Sequence, residues 1–309
     1  MKWMHFVLVI GALSLTACDH STPHAAAPVA KSPAHVTSAP KKATAFAPPS
    51  ESDIPNDDFG KQVALGRQIF IDPGQYAKAY VGNSLSCENC HLDAGRLAHS
   101  APLWGAYPMY PAYRSKNHHV NTFAERLQGC FQYSMNGKAP PADDPVLVAL
   151  ETYAYWMSKG EPIGTSLPGR GYPKLPKPAI APDYARGEAV FKRDCALCHG
   201  DNGQGQRAAG RTVFPPLWGP QSFNWGAGME QVNNAAGFIK ANMPLGRGDT
   251  LTDQDAWDVA YFMDAHERPQ DPRFKGSIAE TRKAYHDTPE SLYGTTVNGQ
   301  QLGQGTAGK

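Results

Sequence analysis

The chain has 309 residues, 41% of them hydrophobic and 18% charged, with a formal net charge of +1. That is enough apolar content for two cores of ordinary size once tails are set aside. The charge balance excludes bulk binding to nucleic acid, so no nucleic-acid partner is expected.

Met1-Lys2 followed by the apolar run from Phe6 to Leu15 reads as a secretory signal, too short to remain as a spanning helix. Leu15-Thr16-Ala17-Cys18 resembles a bacterial lipobox. On that resemblance, residues 1–18 are a lipoprotein-type signal peptide and Cys18 becomes the lipidated first residue, with Asp19 resembling a retention signal for the inner membrane. The expectation is a periplasmic protein anchored through Cys18; an ordinary signal cleaved nearby is the competing reading. Residues 19–52 are rich in Ala and Pro with almost nothing to bury, which predicts a flexible tether.

Residues 53–160 make a first domain. Val63, Gly66 and Phe70 stand at helical spacing, and an insertion from Asp72 to Ser86 separates that helix from Cys87-Glu88-Asn89-Cys90-His91. Two thiols spaced by two residues and followed directly by His attach a heme covalently and supply one ligand to its iron. A redox pair or half a zinc site needs no His at that position. Downstream, Asp144-Pro145 opens a helix whose Leu147, Leu150, Ala154 and Met157 share one face, and Gly160 ends it.

The Pro- and Gly-rich stretch 161–182 is a linker. A second domain, 183–269, repeats the plan: Tyr184, Gly187 and Phe191, then Cys195-Ala196-Leu197-Cys198-His199. A helix capped by Thr252 follows, with Ala256, Val259, Ala260 and Met263 inward and Pro269 as its stop. The cofactors implied are two covalently bound heme c groups, on Cys87 and Cys90 with His91, and on Cys195 and Cys198 with His199. The fold class is mainly α: two tandem class I cytochrome c-like domains with long loops. The extension 270–309 shows no clear periodicity and is expected to wrap the surface, with residues 299–309 disordered.

The sixth iron ligands decide between electron transfer and chemistry. In the second domain Met243, just before Pro244, is the candidate over Met229. In the first, Met135 follows His91 by the same 44 positions by which Met243 follows His199, so spacing favours Met135. Cys130 lies five residues earlier, and it is the one of six cysteines left over by heme attachment and Cys18. Spacing leaves Cys130 and Met135 open. Around them, Arg114, Lys116, Arg126 and Lys138 face Glu125 alone, a local positive excess suited to an anion. His118 and His119 are assigned nothing.

The run from Glu125 through Cys130 to Lys138 resembles the signature of the diheme thiosulfate dehydrogenase and tetrathionate reductase family of c-type cytochromes. Gly82-Asn83-Ser84-Leu85-Ser86, Asn242-Met243-Pro244 and the tail from Asp271 to Gly294 are similar too, so the resemblance covers about residues 53–294. It implies that Cys130 is the distal ligand of the first heme, where sulfur chemistry occurs, and that Arg126, Ser134 and Arg114 contact the substrate. It implies joining of two thiosulfates into tetrathionate, or the reverse. A His/Met-ligated second heme would exchange electrons with a periplasmic or membrane carrier: a cytochrome c, a high-potential iron-sulfur protein or a quinone-linked partner. At Asn242 some members carry Lys, so ligand switching by this residue is not expected here. The competing readings are a membrane-tethered diheme electron carrier with Met135 on the first iron, and a sulfur-carrier cytochrome.

Overall fold

The structure, a computed structural model, describes residues 46–114, 117–209 and 211–306. Among the described residues are seven helices of at least seven residues: α1 Asp58–Ile71, α2 Phe123–Gly129, α3 Pro145–Met157, α4 Tyr184–Asp194, α5 Val232–Asn242, α6 Asp253–Asp264 and α7 Ile278–Tyr285. Strands are confined to short antiparallel hairpins, Ala112–Arg114 with His119–Asn121, Gln206–Ala208 with Arg211–Phe214, and Thr296–Val297 with Gln300–Gln301. The architecture is mainly α, as the helical spacing predicts.

Local chemistry sets the helix ends. The Asp57 side chain accepts from Gly60 N at the start of α1, Asp144 from Val146 N at α3, Asp183 from Arg186 N at α4 and Thr252 from Asp255 N at α6. Each domain then packs its first helix across its last. Val63, Ile69 and Phe70 of α1 are buried with Leu147, Leu150, Ala154 and Met157 of α3. Val190 and Phe191 of α4 are buried with Ala256, Val259, Ala260 and Met263 of α6.

The repeated glycine of the two domains marks the crossing point. A Cβ at Gly66 would lie 2.1 Å from the Ala149 carbonyl oxygen, and one at Gly187 would lie 2.1 Å from that of Asp258. Only a residue without a side chain lets the two backbones approach so closely. This is the physical content of the internal repeat.

The linker is docked along its length. Gly169 O accepts from His99 N at 2.7 Å, Arg170 Nε donates to Gly105 O at 2.8 Å, and Pro176 O accepts from Trp257 Nε1 at 3.0 Å. The Tyr172 ring meets Phe238 of α5 edge-on at 5.5 Å. One hydrophobic core runs through both domains.

Two expectations about the ends need correction. The tether does not extend to residue 52: Phe46 packs on Trp104 with ring centroids 5.3 Å apart, and Glu51 pairs with Arg67 at 2.8 Å. An aromatic ring with a partner to bury against is enough to pin the segment. The extension is likewise ordered past residue 299, because Gln300–Gln301 pair with Thr296–Val297, Leu302 is fully buried, and Glu267 accepts from Gln304 N and Gly305 N. Helix α7 also lies in this extension, capped by the Ser277 side chain. The expected signal peptide, Cys18 and the expected tether up to residue 45 lie outside the described residues, as do residues 307–309. Among the described residues no helix is long and apolar enough to cross a membrane.

Candidate functional site

A cavity of about 220 Å³ in the first domain collects most of the residues singled out by sequence: Cys87, Cys90, His91, Arg114, Arg126, Cys130 and Ser134 all line it. Cys87–Asn89 form a single 3-10 turn, held by Asn89 Oδ1 accepting from Ser86 N at 2.8 Å, so the paired thiols reach the cavity from one short loop. Burial pushes the Cys90 thiol up to about 12 and raises that of Cys87 as well. His91 Nδ1 donates to Ala101 O at 2.7 Å, which fixes the tautomer and leaves Nε2 with its lone pair. Burial lowers this imidazole to about 4, partly offset by that hydrogen bond. A neutral ring with a fixed tautomer is what an iron ligand requires.

The thiol at position 130 arises from a change in helix type. Thr122 and Glu125 form a reciprocal cap on α2, the Thr122 side chain accepting from Glu125 N and the Glu125 carboxylate from Thr122 N. After Gly129 the chain widens into a π-turn over Cys130–Ser134, closed by Met135 N donating to Cys130 O at 2.9 Å. Phe131 and Met135 are buried there, at 1% and 2% exposure. Arg126, one turn earlier, donates from Nη1 to Cys130 Sγ at 2.9 Å. Electrostatic coupling to Cys130 raises the Arg126 pKa, against burial. Arg114 Nη1 donates to the Tyr110 hydroxyl at 2.6 Å, and that tyrosine also lines the cavity.

Of the predicted basic cluster, Lys138 does not join the site. Lys138 is exposed and outside the cavity wall, and Lys116 lies outside the described residues. Glu125 turns outward, at 3.5 Å from His119 Nε2, and among the described residues no carboxylate lines the cavity. Sequence reasoning missed Arg170, a linker residue that lines the same cavity while its Nε is held by Gly105 O. A Pro- and Gly-rich stretch has no periodicity from which its direction could be read. Met135 also lines this cavity, so Cys130 and Met135 both stand beside it.

The second cavity, about 550 Å³, is lined by Cys195, Cys198, His199, Met243 and Met229. His199 Nδ1 donates to Pro215 O at 2.9 Å, and burial lowers its pKa, repeating the arrangement at His91. Burial pushes the Cys195 thiol up to about 12. Asn242 does not face a ligand position: its amide donates to Phe238 O at 2.9 Å and to His99 O at 3.2 Å, a bond across the two domains. The two cavities share a wall of Leu85, Ser86, Cys90, Phe223 and Met229.

Both cavities therefore pair two thiols and a neutral, tautomer-fixed imidazole with an apolar lining, which fits covalently attached heme c.

Residues 74–163 match the family described as SoxA/TsdA, cytochrome c domain, and residues 182–263 match Cytochrome C oxidase, cbb3-type, subunit III. The thiosulfate dehydrogenase of Thiomonas intermedia (strain K12) is 59% identical over 303 residues, covering 98% of this chain and 96% of that protein. That of Stutzerimonas stutzeri (strain A1501) is 58% identical over 262 residues, covering 84% and 85%. Among solved structures, the thiosulfate dehydrogenase (TsdBA) from Marichromatium purpuratum in its as-isolated form superposes with a TM-score of 0.82 at 49% identity, over 86% of this chain and 59% of that one. The fold is thus a tandem of cytochrome c domains carrying heme c, and the chain belongs to the thiosulfate dehydrogenase family.

Proposed function

We propose that the protein is a diheme enzyme that oxidises two thiosulfates to tetrathionate, and runs the reverse reduction when its electron partner drives it. The observation that carries this reading is Arg126 Nη1 lying 2.9 Å from Cys130 Sγ in the same cavity as Cys87, Cys90 and His91. Heme c held by Cys87, Cys90 and His91, and a second held by Cys195, Cys198 and His199, would accept one electron each of the two released when the central sulfur–sulfur bond forms.

The chain's own residues do the rest. Cys130, which lines the first cavity, would hold the first heme from the side away from His91 and present a sulfur that can exchange with a sulfane sulfur. Arg126 and Arg114 hold the dianionic substrate through paired donors, which a point charge does less well. Ser134 adds a hydroxyl donor, and Phe70, Leu103 and Phe131 exclude water so that these charges act at full strength. Met243, which lines the second cavity, would supply a thioether to the second heme and favour its reduced state. Residues 53–160 form the catalytic domain, 183–269 the electron-transfer domain, 161–182 the linker between them and 270–309 an extension, packed against them up to residue 306.

From there electrons pass to a periplasmic or membrane carrier, a cytochrome c, a high-potential iron-sulfur protein or a quinone-linked partner. A signal peptide over 1–18 and a lipid on Cys18 would hold the enzyme at the membrane facing the periplasm. Replacing Cys130 by Gly tests the whole reading: turnover in both directions should vanish while both hemes remain attached. A Cys130→Gly protein that still oxidises thiosulfate would leave only an electron carrier.

A further inference from the structure

A π-turn is a costly local choice, because its backbone bonds are poorly aligned and its central carbonyls look outward; it persists where surroundings hold it. Among the described residues, Asn83 and Asn224 donate to carbonyls of Cys130–Ser134 from outside. Asn224, 1% exposed in the second domain, gives its Nδ2 hydrogens to Gln132 O at 2.9 Å and Asn136 Oδ1 at 3.0 Å, and its backbone N–H to Tyr133 O at 3.1 Å. Asn83 gives its Nδ2 hydrogens to Ser134 O at 2.8 Å and Ser222 O at 3.0 Å. Its Oδ1 accepts from Leu85 N at 3.2 Å, two residues ahead of Cys87. The acceptor side of Asn224 is occupied as well, by Gly226 N at 2.9 Å.

These bonds tie together three pieces that are distant in sequence: the loop that carries the first heme-attachment pair, the turn that carries Cys130 and Ser134, and the 222–226 loop of the second domain. We propose that Asn83 and Asn224 are positioning residues for the sulfur site: they hold the π-turn and so set where the Cys130 thiol and the Ser134 hydroxyl stand relative to the Cys87–His91 loop. The second domain thereby serves the first domain's chemistry through a backbone contact, separately from any electron path. The proposal rests on the assignment of Cys130 as distal ligand of the first heme.

The test uses the full-length protein with both hemes attached. Asn224→Asp keeps the shape and the acceptor for Gly226 but removes the donor to Gln132; Asn83→Asp removes the donor to Ser134 from the other side. Each variant is expected to weaken or shift the thiolate-ligated electron paramagnetic resonance signal of the first heme and to displace its reduction potential. The second heme's signal should stay, and kcat should fall by about ten-fold, the scale of a reacting group misplaced by a fraction of an ångström. Variants whose first-heme signal, potential and kcat match the parent, with only the urea midpoint lowered, would overturn the proposal and leave the amides as packing. Loss of the first heme from both variants would overturn it too, marking the amides as folding elements. A parent protein without any thiolate signal would instead refute the assignment of Cys130 itself.

Discussion

The guanidinium carbon of Arg273 lies 5.1 Å from the centroid of the Tyr133 ring, so the C-terminal extension touches the turn that carries Cys130. The same group pairs with Asp271 at 2.6 Å and lies 4.0 Å from the Tyr285 ring centroid. Asp271 is completely buried, and its carboxylate is held well below the usual range: burial alone would raise it, but hydrogen bonds from His286 and Arg273 prevail. Arg273→Ala would leave that charge short of a partner at a cost of about 3 kcal/mol. Urea unfolding of the heme-loaded protein should show a clearly lower midpoint; an unchanged midpoint would contradict the account.

Stability should also depend on pH through His286. Its Nε2 lies 3.0 Å from Asp271 Oδ2 and its Nδ1 3.4 Å from Glu230 Oε1, with the Ser291 hydroxyl at 3.3 Å and the Tyr293 ring stacked on it at 4.3 Å. Burial opposes charging this imidazole, but the hydrogen bonds to Asp271 and Glu230 outweigh that and hold it above the ordinary 6.5. A raised folded-state value means the stabilisation is complete below 6.5 and is lost as pH rises through the folded value. Asp271, being lowered, contributes in the opposite window: its share is present above the ordinary carboxylate value of 3.8 and lost on further acidification. Unfolding midpoints across pH 5 to 9, ordinary assay limits of roughly that span, should fall toward the alkaline end in the parent and flatten there in His286→Gln.

Arg126 and Arg114 should separate by what they touch. Arg126 donates to the Cys130 sulfur and on the proposed role would also hold the anion, so Arg126→Gln should lower kcat/KM for thiosulfate by about 100-fold or more, the scale of losing one preorganised donor. Arg114 is anchored to Tyr110 at the cavity's edge, and Arg114→Gln should mainly raise KM, by about ten-fold. Steady-state kinetics in both directions would read the split; equal losses in the two variants would argue against it.

At the helix crossings the geometry forbids any side chain. Gly187→Ala would drive a methyl to 2.1 Å from the Asp258 carbonyl oxygen, and the helices would have to part. The expected loss is about 2–3 kcal/mol, seen as a lower thermal midpoint. Gly66→Ala should behave alike in the first domain, and tolerance of both substitutions would mean that the crossing is looser than described.

Cofactor attachment can be counted directly. Intact-mass measurement should find two hemes on the parent chain and one on Cys195→Ser/Cys198→Ser, which should keep the first-heme signal. Full loading of that variant would show that the second cavity needs no thioether bond.

Much of this was legible in the residues. The paired Cys-x-x-Cys-His runs, the caps Asp144 and Thr252 and the doubled glycine spacing all encode local geometry, and each recurs in the fold where spacing puts it. What spacing could not convey is long-range. Asn83 meets Ser134 across 51 positions and Asn224 meets Gln132 across 92, and no periodicity links such pairs. The π-turn itself has no signature in a run that also satisfies an ordinary helix. The 44-residue rule that favoured Met135 treats the two domains as copies, but the widened turn brings Cys130 to the same cavity. The ordered tail escaped notice for a related reason: Gly303, Gln304 and Gly305 are held by Gln270 and Glu267, partners 33, 37 and 38 positions away.

Because Leu85, Ser86, Cys90, Phe223 and Met229 face both cavities, neither half of the molecule owns a complete wall around its own cavity. Severing the chain between the halves would turn an inner partition into two greasy wounds open to solvent.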